Sequence, residues 1–124
     1  MKRLAFLLFP ILFLASCQSE TNYIWRVENN SSTEIIVLFD AEIPSYSSQT
    51  TVPAGSSETI ATEVSNGDVA PASPSSPITD MLIINSTDTA DKDYRIEANW
   101  LVTQEMERNT TDIFFTFEVD DADF

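Results

Sequence analysis

The chain has 124 residues, 43% of them apolar, and sets twenty acidic side chains against six basic ones for a formal net charge of −14. That length suits a single domain, and a field of that sign repels phosphate backbones, which argues against nucleic acid as a partner. With no histidine and a single cysteine, Ser-His-Asp and Cys-His catalysis and histidine-based zinc sites have no residues to work with.

Residues 1–16 read as an export leader. Met1, Lys2 and Arg3 are its positive start, residues 4–14 an apolar run containing Pro10, and Ala15 and Ser16 the small residues ahead of Cys17. A membrane-spanning helix takes about 20 apolar residues, so this shorter run reads as a signal helix that is cleaved after export. Leu14-Ala15-Ser16-Cys17 resembles the lipobox of bacterial lipoproteins at all four positions. The resemblance implies that residues 1–16 are a signal peptide and residues 17–21 a lipidated cysteine with a short tether. It implies a diacylglycerol on the Cys17 thiol and an N-acyl chain on its new amino group, an arrangement that anchors stably where one chain holds only marginally. The implied address is the outer membrane of the cell envelope, on its periplasmic face or at the cell surface.

Lipidation would consume the only thiol, leaving the folded part without a disulfide. Lys2 and Arg3 would leave with the leader, so Arg26, Lys92, Arg95 and Arg108 would face all twenty acids. Such a charge attracts cationic proteins or glycans, and it also keeps crowded envelope proteins soluble and apart.

Residues 22–124 read as one β domain. Over residues 22–28, Tyr23, Trp25 and Val27 alternate with Ile24, Arg26 and Glu28, the period of a half-buried strand. A turn through Asn29-Asn30-Ser31-Ser32 follows. Ile35 to Phe39 are apolar on both faces, as in a central strand covered on both sides. Residues 41–46 form a connection around Pro44, and residues 47–52 a short polar edge strand. Pro53-Ala54-Gly55-Ser56 is a turn, and a hairpin is the simplest join to the strand of residues 57–64.

Residues 65–77 break the pattern, with prolines at 71, 74 and 77 favouring an extended, polyproline-like and mobile path. Met81 to Ile84 then form a buried strand. Tyr94, Ile96, Ala98, Trp100 and Val102 line one face of a long strand, and Ile113, Phe115, Phe117 and Val119 repeat the device in the last one. Residues 103–112 are polar and read as a turn or irregular segment. About seven strands with turn signals between them predict an all-β fold, an antiparallel β-sandwich of immunoglobulin-like or similar topology. Trp25, Trp100, Phe115 and Phe117 are its candidate core. Tyr23 and Tyr46 are the aromatics better suited to an exposed sugar platform.

Two kinds of chemistry survive on residue type: a carboxylate pair of the glycosidase sort, and a hard cation on oxygen ligands. For calcium the candidate ligands are Asp88, Asp91 and Asp93, with the run Asp120, Asp121 and Asp123 second. Neither has the glycine and closing glutamate of an EF-hand loop. Asp88-Thr89-Ala90 resembles the O-glycosylation sequon of Bacteroidota-type bacteria, with Thr89 as acceptor. Asn30, Asn85 and Asn109 stand in Asn-x-Ser/Thr frames.

As a whole the chain is similar to the small lipoproteins of Bacteroidota-type bacteria in its lipobox, its Pro-Ala-Gly-Ser turn and its closing Phe-Thr-Phe-Glu-Val-Asp-Asp-Ala-Asp-Phe. The expected function is a lipid-anchored, non-enzymatic binding or structural accessory module of the envelope, with no resident cofactor. An alternative is an acidic inhibitor or immunity-type protein that neutralises a cationic, envelope-directed enzyme. A carboxylate hydrolase is a third reading.

Overall fold

The computed structural model describes residues 20–65 and 70–124. Leu14-Ala15-Ser16-Cys17, expected as a lipobox, lies outside the described residues, as do residues 66–69 of the proline-rich segment. Among the described residues no helix is long and apolar enough to cross a membrane.

Among the described residues eight strands form two sheets: β1 (Glu20–Asn29), β2 (Ile35–Ala41), β3 (Ser45–Tyr46), β4 (Gln49–Val52), β5 (Ser57–Ser65), β6 (Ile78–Ile84), β7 (Trp100–Glu107) and β8 (Thr110–Val119). The larger sheet has the order β3-β5-β1-β8-β7 and the smaller one β4-β2-β6. This is the expected all-β sandwich, and its pairings are antiparallel with one exception. β1 and β8, the first and last strands, run parallel in unbroken register from Glu20 opposite Thr110 to Asn29 opposite Val119. Parallel neighbours require a long crossover, and here the entire intervening chain supplies it.

Alternation explains the core. Tyr23, Trp25, Val27 and Asn29 point inward from β1, as do Phe115, Phe117 and Val119 from β8, and they meet Ile35, Val37, Phe39 and Ile83 of the smaller sheet. All four candidate core aromatics are buried, Trp25 and Phe117 completely. Trp25 and Phe115 pack tilted with ring centroids 5.0 Å apart, Trp100 and Phe117 at 5.1 Å, distances at which aromatic pairs attract beyond simple burial. β2 is central in its sheet, as its apolar run requires, but its Ile36 and Leu38 face is only half covered.

Six of the seven connections change sheet. The Pro53–Ser56 turn is therefore a crossover between sheets rather than the expected hairpin: β4 pairs with β2 while β5 pairs with β1. Gly55 takes φ 74° there, a backbone that glycine adopts without steric cost. Its N–H donates to the Asn29 carbonyl at 2.8 Å.

Asn29 ties this corner together. Its side chain is fully buried, with Nδ2 donating to the carbonyls of Thr33 (2.8 Å) and Val52 (3.0 Å). Its Oδ1 accepts from the Ser31 N–H (3.0 Å) and hydroxyl (2.6 Å). One amide thus fills its donors and acceptor and links both sheets.

Three further expectations are corrected. The proline-rich segment, where described, is packed rather than extended: Pro74 is buried, its carbonyl accepts the Trp25 Nε1–H at 2.7 Å, and residues 74–77 form turns closed by Ser73 and Ser75 carbonyls. The strand predicted from Tyr94 starts only at Trp100. Before it lie a turn and a short 3-10 helix, Glu97–Asn99, with the Trp100 Nε1–H bonded to the Tyr94 carbonyl at 2.6 Å. Finally, the polar stretch 103–112 is not irregular. It is most of a long hairpin, β7 and β8 in regular antiparallel register around the two residues Arg108 and Asn109.

Candidate binding surface

The acidic clusters do not assemble. Asp93 is held by Arg95, with Nε to Oδ1 at 2.9 Å and a second contact at 3.0 Å to Oδ2. Its bonds to the Arg95 side chain and backbone hold its carboxyl below the usual range. Asp88 is exposed and lies in a turn organised by the Asn85 Oδ1, which accepts the N–H groups of Thr87 and Asp88. Asp91 donates its backbone N–H to the Asp123 carbonyl at 2.7 Å. Among the described residues no three carboxylates gather so as to hold a metal ion.

The tail acids serve the chain itself. Asp120 and Asp123 form a reciprocal cap around the 3-10 turn Asp121–Asp123. Asp121 Oδ1 accepts from the N–H and the hydroxyl of Ser32, both at 2.9 Å, and these bonds lower its pKa. Each carboxylate satisfies a donor that a short helix start or turn would otherwise leave open.

Thr89 is exposed and forms a bridge with Ile84 beside the end of β6. Tyr46 is exposed on β3 and tilts against Phe39 at 6.3 Å. Tyr23, expected as a platform, is instead buried, stacked on Phe115 with an interplanar angle of 11°. The described surface includes four shallow depressions of about 250 to 400 Å³. None carries more than one carboxylate: Glu118, Glu63 and Glu34 in three of them and none in the fourth.

What the structure does assemble is an open edge. β7 pairs with β8 on one side only, and every residue from Leu101 to Glu107 is exposed. The reason lies in sheet size. The smaller sheet has three strands against five, and among the described residues none covers this end of the larger sheet. Val102, Gln104 and Met106 share the face of Phe115, Ile113 and Thr111, their cross-strand partners, so they point to the core side of the sheet but beyond the core. Val102 is 53% exposed and Met106 75%.

The opposite face of the hairpin is acidic. Glu105 stands directly across from Asp112, a like-charge pairing that costs stability, and Glu107 and Glu20 share the same face by register. Asn22 Nδ2 donates to Asp112 Oδ1 at 2.8 Å. Among the described residues the ion pair found is Arg95 with Asp93, so none of these four acids has a cationic partner.

The other sheet edges are short or covered. β3 has two residues and follows Pro44, and β4 has four and runs into Pro53. β6 is longer, but the Ala90 N–H bonds to the Ile83 carbonyl at 2.8 Å, Thr89 bridges Ile84, and the Tyr94 hydroxyl reaches the Thr79 carbonyl at 3.3 Å. β7 alone combines eight residues, regular register, and no proline, lysine or bulge; of the devices that normally blunt an edge it has only the charges of Glu105 and Glu107, both on one face. Beyond Val102 the sequence carries no signal for this, because a strand exposed on both faces has no alternation to read.

The molecule is thus a small acidic β-sandwich with one long open edge, and among its described residues no group of three carboxylates is placed to hold a metal ion. Comparison with protein families, curated proteins and solved structures finds no match.

Proposed function

We propose that this chain is a lipid-anchored, non-enzymatic binding module of the cell envelope, tethered at Cys17 to the outer membrane. The observation that carries the binding reading is the open β7 edge, with Val102 and Met106 exposed beside it. An uncovered edge is costly to keep in a crowded compartment, and its retention fits a strand that is occupied in use. The anchor reading is supported by Leu14-Ala15-Ser16-Cys17 and the charged apolar leader. Cys17 stands three residues before Glu20, at most about 11 Å of chain, and the Glu20 N–H bonds to the Asn109 carbonyl at 2.9 Å. In this reading the β7–β8 turn lies at the membrane-proximal end.

Two experiments test the proposal. Cys17→Ser should appear in the soluble fraction or remain unprocessed; a mature-size species still fractionating with membranes would overturn the anchor. Cross-linking of the native protein in envelope fractions should capture a specific partner, and repeated recovery of the protein alone would overturn the binding role. The inhibitor reading is favoured by the acids Glu20, Glu105, Glu107 and Asp112, which have no cationic partner among the described residues. It requires association with a cationic enzyme that slows steeply with salt.

A further inference from the structure

We infer that β7 receives an extended segment of a cationic partner protein, which adds to the larger sheet as its sixth strand. The inference rests on the binding-module reading and adds the place, the mode and the chemistry of the ligand. Main-chain groups supply the first part: alternate N–H and C=O groups of an edge strand point away from its only neighbour and template another chain. Eight residues in regular register offer a ladder as long as that of β7 with β8.

The two faces of the hairpin set the sequence of the guest. On the core side, Val102 and Met106 form an apolar ledge continuous with Ile113 and Phe115. On the outer side stand Glu105 and Glu107, with Asp112 and Glu20 behind them and, among the described residues, no cation paired to any of the four. A strand whose residues alternate apolar and basic places its apolar side chains on the ledge and its lysines or arginines against the carboxylates. It also relieves the like-charge pair Glu105–Asp112, to which the described residues bring the Asn22 amide but no cation. A second copy of this chain is a poor occupant, because pairing β7 with β7, like face beside like face, lays two acidic faces side by side and brings no cation to either.

The test uses the full chain in detergent and a synthetic ten-residue peptide of alternating valine and lysine. Amide hydrogen exchange should show new protection within residues 101–107 when the peptide is added. N-methylation of alternate peptide nitrogens, which blocks one ladder edge, should weaken binding about tenfold or more. Glu105→Lys with Glu107→Lys should do the same, since both sites are exposed and tolerate exchange. A valine–glutamate peptide should not bind. Binding that ignores both N-methylation and the charge reversals would overturn the inference while leaving the binding-module reading intact, since the acidic surface would then hold the peptide elsewhere. Protection of β7 that grows with protein concentration alone would assign the edge to a second copy and overturn the cationic partner. No β7 protection with the valine–lysine peptide also overturns the inference.

Discussion

Asn29→Ala tests the corner that joins the two sheets. The side chain makes four hydrogen bonds, to Thr33, to Val52 and twice to Ser31, at 2.6–3.0 Å, and is fully buried, so no water replaces the lost amide without rearrangement. At a net value of about 1 kcal/mol for each bond, and allowing for groups left unpaired in the interior, the loss comes to about 3–5 kcal/mol. That is a large share of the 5–15 kcal/mol typical of a domain, on the order of half. Urea unfolding followed by tryptophan fluorescence measures it, because Trp25 and Trp100 are both buried and report the core. Asn29→Asp sharpens the reasoning. It keeps the shape but points a carboxylate at the Thr33 and Val52 carbonyls, so its folded-state pKa rises above the unfolded value. Its cost is therefore smallest below about pH 4 and grows as pH rises toward the folded pKa. A cost under about 1 kcal/mol for Asn29→Ala, or an Asn29→Asp variant no worse at pH 7 than at pH 4, would refute the account of this corner.

Trp25→Phe removes the bond to the Pro74 carbonyl and part of the core volume; a loss of about 2–4 kcal/mol is expected, with faster proteolysis of residues 70–77 as a local readout. Arg108 has φ 31° at the hairpin turn, so Arg108→Gly should raise stability by about 0.5–1 kcal/mol, and a fall in thermal midpoint would show that the backbone there is unstrained. Asp121 is lowered in pKa by its bonds to Ser32, so its contribution is complete above the unfolded value near 3.9 and is lost as pH falls through the folded one. Asp121→Ala should therefore lower the thermal midpoint at pH 7 and narrow its gap to the parent at pH 2.5; a gap independent of pH would contradict this.

Legibility in the sequence followed burial on one face. β1 and β8 alternate cleanly because each has one side in the core, and Trp25, Phe115 and Phe117 were found from that pattern alone. β7 is legible only as far as Val102, for the opposite reason: beyond Trp100 neither face is covered, so composition follows solvent and residues 103–107 read as loop. Its turn is Arg108-Asn109 rather than Asn-Gly, which removed the usual hairpin signal. Tyr94, Ile96 and Ala98 alternate by chance along a turn and a 3-10 segment, the backbone held by Asp93 and Asn99 instead of a ladder. Tyr23 was misplaced because a phenol at a strand's first buried position looks like one at its rim. The Pro53–Ser56 turn shows a different limit, since a local sequence states that the chain turns but not which sheet receives it. The candidate surface was legible only as charge; the register that sets Glu105 against Asp112 and the missing cover over β7 are tertiary facts.

The parallel pairing of β1 with β8 also dictates when the domain is able to fold. β1 lies between β5 and β8 in the larger sheet, and its partner on one side is the last strand made. Closing that ladder joins positions about ninety residues apart, a separation of the kind that slows two-state folding to milliseconds or seconds. A chain emerging amino end first holds Tyr23, Trp25 and Val27 in a strand that waits unpaired on that side until Phe115 and Phe117 arrive. Refolding rate, more than equilibrium stability, is then the property most sensitive to substitutions along β8.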